Sequence, residues 1–139
     1  MKTRIFYHLT EEAKKIREEV FVEEQGFQEE FDGIDGIAKH IVLFDEEEAV
    51  GTCRMFFQDS QRNYHVGRVA VRADYRGRGL GKVLMEAAEE HIRKLGGESI
   101  TLSAQVRVAP FYETLGYCRQ GEEYLDEECP HVRMTKRLK

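Results

Sequence analysis

The residues best placed to do chemistry are Arg76-Gly77-Arg78-Gly79-Leu80-Gly81. Before them, Val66 to Arg72 reads as a buried strand. After them, Leu80, Val83, Leu84, Ala87, Ala88, His91, Ile92 and Leu95 recur at helical spacing. A glycine-rich turn therefore leads from a strand into the start of a long helix. A helix start presents unpaired backbone N–H groups and a positive dipole end, which suits phosphate. Glycine lets the backbone approach an anion with no Cβ in the way. The expected ligand is a phosphate-bearing cofactor. Two common phosphate motifs fail on spacing. A dinucleotide fingerprint counted from Gly77 ends on Lys82 where glycine belongs. A P-loop would need glycine at Arg76 and Ser or Thr at Val83. The pattern that fits is R-x-x-G-x-G, on Arg76, Gly79 and Gly81.

The surrounding elements must hold that turn. Thr3 to His8 reads as a short strand. Thr10 followed by Glu11-Glu12 reads as a capped helix start, with Ala13, Ile16, Val20 and Phe21 on its apolar side. Phe21 to Gly36 is acidic and aromatic, and reads as a second short helix followed by a loop. His40 to Phe44 and Ala49 to Phe57 read as strands joined by a solvated turn at Asp45 to Glu48. Gln58 to Asn63 is a second turn, and Tyr64 to Arg72 the strand feeding the glycine loop. The helix from about Gly79 to Leu95 stops at Gly96-Gly97. Ser99 to Ala104 is the next strand, which makes a parallel crossover with the strand before the helix. Val108 to Leu115 is a short helix with Pro110 in its first turn. Tyr117 to Tyr124 and His131 to Leu138 close the chain as strands joined by an acidic loop, Leu125 to Pro130. The order predicts one α/β domain over residues 1–139, with a mixed central sheet and helices on both faces.

Composition narrows the partners. A chain of 139 residues, 41% hydrophobic, is one domain with enough apolar matter for a core. A net charge of −5 argues against nucleic acid, which needs a basic face. Around the loop the charge reverses: Arg72, Arg76, Arg78 and Lys82 face only Asp74. The apolar runs are far too short for a membrane span. Cys53, Cys118 and Cys129 form no C-x-x-C pair and follow no secretory signal, which predicts a reduced, cytosolic setting. The five histidines, His8, His40, His65, His91 and His131, stand at no ligand spacing, so no metal site is expected.

Taken together, the element order and the R-x-x-G-x-G loop resemble the GNAT N-acetyltransferases over nearly the whole chain. Ala109-Pro110-Phe111-Tyr112-Glu113-Thr114-Leu115-Gly116-Tyr117 resembles the family's F-Y-x-x-x-G-[FY] segment. Arg17 to Gln25 resembles R-x-x-V-F-V-x-E-Q, and Pro130-His131-Val132-Arg133-Met134 resembles P-H-x-x-M, both of the YjcF/ElaA-like branch. The resemblance implies a splay between the fourth and fifth strands that admits the pantetheine arm of acetyl-coenzyme A. Backbone groups of Val69, Ala70 and Val71 would bind the pantetheine amides, and an N–H there could polarise the thioester carbonyl. The turn Arg76, Gly77, Arg78, Gly79, Leu80, Gly81 and Lys82 would cradle the pyrophosphate, mostly through backbone. Gln105 sits where many relatives have Asn, implying a hydrogen bond to pantetheine or backbone. A homodimer is compatible with such a domain.

The implied reaction passes acetyl to a primary amine of a small molecule. The amine must be neutral to attack, so something must take a proton; the departing thiolate needs a proton or a hydrogen bond. Tyr112 matches the family position for the acid; the competing reading is a core aromatic. Phe111 and Tyr117 read as core. Some relatives carry a glutamate as base just before the position of Arg68, and here that position is Gly67. Replacements are Glu24, Asp32, Asp35, His131 or a chain of waters, with His131 equally able to order the last strand. Arg68 and Arg54 read as holding acidic residues or substrate, although a solvated strand face is the preferred reading for Arg54. The acidic stretch from Glu23 to Asp35 suits a cationic acceptor if it lines the site. No cysteine has a local base to make it a nucleophile. The other class left open is an acyl-coenzyme A binding or sensing module without turnover, which Gly67 favours.

Overall fold

The computed structural model describes residues 1–28, 30–58 and 62–139. The chain opens with β1 (Lys2–Phe6) and α1 (Glu11–Arg17), whose start is capped by the Thr10 hydroxyl accepting from the Ala13 N–H at 3.1 Å. Where the sequence predicts a separate second helix, the first one simply continues, as a widened π-helical stretch from Glu18 to Glu24. Nothing between Arg17 and Glu24 interrupts a helix; the first breaker is Gly26, at φ +77°. A one-turn 3₁₀ helix, Gly33–Gly36, follows, with the Asp32 side chain accepting from the Ile34 N–H.

Next come β2 (Lys39–Asp45), β3 (Glu48–Phe57) and β4 (Asn63–Val71), then α2 (Leu80–Lys94), β5 (Ser99–Gln105), α3 (Ala109–Thr114), β6 (Cys118–Asp126) and β7 (Cys129–Arg137). The described residues form one seven-stranded sheet in the order β1-β2-β3-β4-β5-β7-β6. The β4–β5 pair is parallel and the other pairs are antiparallel. The last strand slots between β5 and β6, which leaves β6 exposed along its length as an edge. The predicted turn at 58–63 is closed by the Gln58 N–H donating to the Asn63 carbonyl at 2.8 Å; residues 59–61 lie outside the described residues. The acidic loop predicted from Leu125 to Pro130 is instead paired strand up to Asp126 opposite Cys129. Only Glu127 and Glu128 turn the chain, both at positive φ, as a two-residue hairpin matched to strand twist demands.

The core lies mainly between the sheet and α2. Ile41, Cys53, Met55 and Ile100 face Leu84, Met85, Ala88 and Ile92, and all are buried. On the opposite face Ile16 and Val20 of the first helix cover Ala70 of β4. Both faces are therefore clad, as the sequence predicts.

Two irregularities in β4 shape the site. Its pairing with β5 stops at His65 opposite Thr101, so Val66 to Val71 present an unpaired edge toward Leu102 to Gln105. This is the splay that the family resemblance implies. On the other edge, Thr52 pairs with Ala70 and Arg54 with Gly67, so β4 carries one extra residue across the same span. That bulge places Arg68 at φ +51°, a backbone region costly for a side-chain-bearing residue and found mostly where surroundings enforce it.

Candidate active site

The splay opens into a cleft of about 230 Å³. Its walls are the edges of β4 and β5, the helix end at Phe21 and Gln25, Phe27 and Glu30 of the following loop, Tyr112 of α3 and His131 of β7. Of the residues singled out in the sequence, it thus gathers Arg68, Val69, Gln105, Tyr112 and His131. Asp32, Asp35 and Glu24 are not among its walls.

At the start of α2 the first N–H to find a backbone partner is that of Val83, donating to Gly79 O at 3.3 Å. The N–H groups of Gly77 to Lys82 are given to no other described residue. Gly79 is the N-cap, at φ +74°, and a Cβ built on Gly77 or Gly79 would meet nothing within 4 Å. Six free donors at a helix start beside open space fit a pyrophosphate. Gly81 differs: its missing Cβ leaves room for Phe111, whose Cζ would lie 3.1 Å away, so that glycine serves packing. The positive cluster is smaller than the sequence suggests. Arg72 is paired with Glu19 at 3.2 Å and Glu48 at 2.8 Å, and Arg76 with Glu24 through two 2.7 Å hydrogen bonds. Arg78 lies over the Tyr75 ring at 4.8 Å.

Tyr112 is buried, and burial pushes its phenol well above the ordinary value, with Cys53 adding to the rise. It is a hydroxyl donor throughout the physiological range. Its ring packs edge-on against Phe111 and Tyr117, so both sequence readings, acid and core aromatic, are compatible with its place. Tyr117 is core, its hydroxyl bound to Glu89 at 2.9 Å. His131 Nδ1 lies 2.8 Å from the carbonyl of Cys129. A carbonyl can only accept, so the neutral ring carries its proton on Nδ1 and leaves the Nε2 lone pair free. Tyr124 stacks on the ring at 6.1 Å and Phe27 meets it edge-on at 6.4 Å. Gln105 donates to Gln25 Oε1 at 2.7 Å.

The acidic candidates behave differently. Arg17, Arg54 and Arg68 interleave with Glu30, Asp32 and Asp35 in a network under the first helix. Arg17 binds Glu30 and Asp35, each at 2.7 Å; Arg54 binds Asp32 at 2.7 Å and Asp35 at 3.0 Å; Arg68 reaches Glu30 at 3.0 Å. Arg54, read from sequence as a solvated strand face, is only 4% exposed, because the loop carrying Asp32 and Asp35 folds down over it. Burial pushes the Asp35 carboxyl up, but Arg17, the Asp32 N–H and Arg54 outweigh it and bring it to about 2. Asp32 and Glu24 are likewise held low, by Arg54 and Arg76 respectively. Carboxylates so held make weaker bases than free ones. Glu30, which sequence reasoning missed, lines the cleft with its carboxyl raised by burial against the opposing pull of Arg17 and Arg68.

These shifts predict acid sensitivity. Burial brings His65 down to about 4 and also lowers His40. A group whose pKa is depressed by folding contributes stability that is present above its unfolded value and lost as pH falls through its folded value. The histidines act first, from about pH 6.5 downward, and Asp35 between about 4 and 2. The urea midpoint is expected to fall between pH 7 and pH 4.5 and again toward pH 2.5. Glu30, whose carboxyl is raised by burial, works in the opposite direction, so a flat midpoint over pH 7 to 4.5 would mean that the histidine loss does not outweigh it.

Among the described residues no group of three or more His, Cys, Asp or Glu is placed to hold a metal, and no helix is long and apolar enough to cross a membrane. The profile of the acetyltransferase (GNAT) domain matches residues 7–138. The chain therefore belongs to the GNAT acetyltransferase family, whose members are acyl-coenzyme A N-acyltransferases. The uncharacterized N-acetyltransferase YjcF of Bacillus subtilis is 36% identical over 128 residues, covering 90% of each chain. ElaA of Escherichia coli superposes with a TM-score of 0.86 at 27% identity, over 97% of this chain and 98% of that one. An aminoglycoside 6′-N-acetyltransferase complexed with coenzyme A shares the fold, with a TM-score of 0.80 at 16% identity over 99% and 97% of the two chains.

Proposed function

We propose that this chain moves acetyl from acetyl-coenzyme A to the primary amine of a small molecule by direct attack. The observation that carries this reading is the meeting in one cleft of an unpaired strand edge, a buried phenol and an imidazole with a free Nε2. Bound acetyl-coenzyme A supplies an acetyl group activated as a thioester. The chain's own residues do the rest. The N–H groups of Gly77 to Lys82 hold the pyrophosphate. The free edge of β4 at Val69, Ala70 and Val71 orients the pantetheine amides and can offer an N–H to the thioester oxygen. His131 Nε2 takes the proton that the attacking amine must lose. The Tyr112 hydroxyl gives a hydrogen bond or proton to the departing sulfur, and the two groups are reset through solvent. No covalent acyl-enzyme is needed. Cys53 is fully buried with its thiol pushed up to about 12, and Cys118 is on the exposed edge strand.

A second reading, a module that binds acyl-coenzyme A without turnover, draws on Gly67, which stands where some relatives carry a glutamate. Thiol release from acetyl-coenzyme A across a panel of alkylamines, diamines and aminosugars separates the two. Amine-dependent release above the hydrolytic blank supports the transferase. Tight coenzyme A binding with no release over the whole panel supports the module. In the active protein, Tyr112→Phe should reduce turnover by about 10²-fold with coenzyme A affinity changed by only a few-fold. Parental rates in that variant would return Tyr112 to a purely packing role.

A further inference from the structure

The corner Glu24-Gln25, where the first helix ends, is bound on both sides of the splay. Glu24 holds Arg76, which follows β4, through Oε1 to Nη2 and Oε2 to Nη1, both at 2.7 Å. The same guanidinium donates from Nε to the Val71 carbonyl at 3.0 Å, so all three of its nitrogens are engaged. Gln25 accepts from Gln105, the last residue of β5, at 2.7 Å. One dipeptide thus bridges the ends of the two strands that part to form the cleft. Just beyond it the chain reverses at Gly26, whose N–H donates to Val22 O at 3.0 Å, while that of Phe27 donates to Phe21 O at 2.9 Å. The reversal sets Phe27 edge-on to Phe21 at 6.5 Å and to His131 at 6.4 Å.

We propose that Glu24 and Gln25 form a clasp across the mouth of the cleft, and that the Arg76 guanidinium serves this clasp rather than the pyrophosphate. The pyrophosphate is left to backbone donors, which do not depend on the Arg76 side chain. The clasp fixes the width of the mouth. Through the Gly26 reversal it also fixes Phe27 against His131, the wall that an acceptor amine meets. Arg76, Glu24 and Gln25 are on this account positioning residues. The proposal deepens the transferase reading, which supplies the role of that wall, while its binding and exchange consequences stand without turnover.

The test uses the full chain and four proteins: parent, Arg76→Gln, Glu24→Gln, and the charge-swapped pair Glu24→Arg with Arg76→Glu. Coenzyme A binding is measured by calorimetry, and amide exchange is followed at Gly26 and Phe27. Both single variants should bind coenzyme A within about threefold of the parent, and exchange at Gly26 and Phe27 should quicken by about tenfold or more. The swapped pair should recover most of the protection and keep the affinity. With any amine the parent acetylates, the single variants should raise the acceptor KM while the KM for acetyl-coenzyme A holds. A tenfold or greater loss of coenzyme A affinity in Arg76→Gln and the swapped pair, but not in Glu24→Gln, would overturn the assignment and return Arg76 to the pyrophosphate. Unchanged exchange in both single variants would overturn the clasp. Failure of the transferase reading would look different: no turnover in the parent, with the calorimetric and exchange results intact.

Discussion

Replacing His131 by glutamine is expected to reduce turnover by about 10³-fold while coenzyme A affinity stays within a few-fold, because the variant loses the one group among the described cleft residues with a free basic nitrogen. The Nδ1 contact with Cys129 O at 2.8 Å fixes the tautomer, and Tyr124 and Phe27 fix the ring plane. The pairing of β6 with β7 keeps the hairpin, and the glutamine amide takes the place of Nε2 rather than of Nδ1. It cannot take up a proton near neutral pH. The deficit should shrink as pH rises, since more of the acceptor is then already neutral, and it should be smaller for acceptors of low amine pKa. If His131 only orders the last strand, the variant should instead lose stability and keep its rate. A glutamine variant with the parental rate and pH profile would pass the proton to Glu30 or to water.

How much of this site is legible in the sequence depends on the range of each interaction. The proposed pyrophosphate cradle is local: a glycine-rich turn at a helix start announces its free N–H groups at Gly77 to Lys82 without any tertiary information. The splay is not local. Nothing in Val66 to Val71 marks an unpaired edge, and only the family resemblance supplies it. The side-chain charges are the least legible, because their partners are far apart in the chain. Arg72, Arg76 and Arg54 read as cations beside a loop or on a strand face. The structure gives them Glu48, Glu24 and Asp32, 22 to 52 residues away. Glu30 escaped notice for the same reason: in an acidic stretch it looks like its neighbours, and only folding turns it toward Arg17 and Arg68. The R-x-x-V-F-V-x-E-Q stretch carried a hint. Its Arg17, Phe21, Glu24 and Gln25 prove to be respectively the ion-network anchor, a cleft wall and the two arms of the corner across the cleft.

Arg17→Met is expected to destabilise the fold by about 3 kcal/mol, the lower end of the cost of removing one member of a buried ion network. Arg17 is 1% exposed and donates to Glu30 Oε2, Glu30 O and both Asp35 oxygens, with its guanidinium over the Phe31 ring at 4.8 Å. Methionine fills much of the space and can keep the contact with Phe31. It leaves two buried carboxylates with less compensation, which is where the cost arises. The loss should stay near the lower end because Arg68 still reaches Glu30 at 3.0 Å and Arg54 still reaches Asp35 at 3.0 Å. Against a typical total of about 5–15 kcal/mol this is a large fraction, equivalent to a drop in Tm of about 10 °C. Removing the opposing charge as well should cost less than its two parts. In the double variant Arg17→Met with Glu30→Gln, the neutral amide has no unpaired charge to bury, so the double should be more stable than the sum of the single losses predicts. The same cycle with Asp35→Asn should show comparable coupling, because Asp35 keeps Arg54 just as Glu30 keeps Arg68, each at 3.0 Å. Strictly additive losses in both cycles, or an Arg17→Met variant as stable as the parent in urea, would mean that the network under the first helix contributes nothing to holding the loop that carries Glu30 into the cleft.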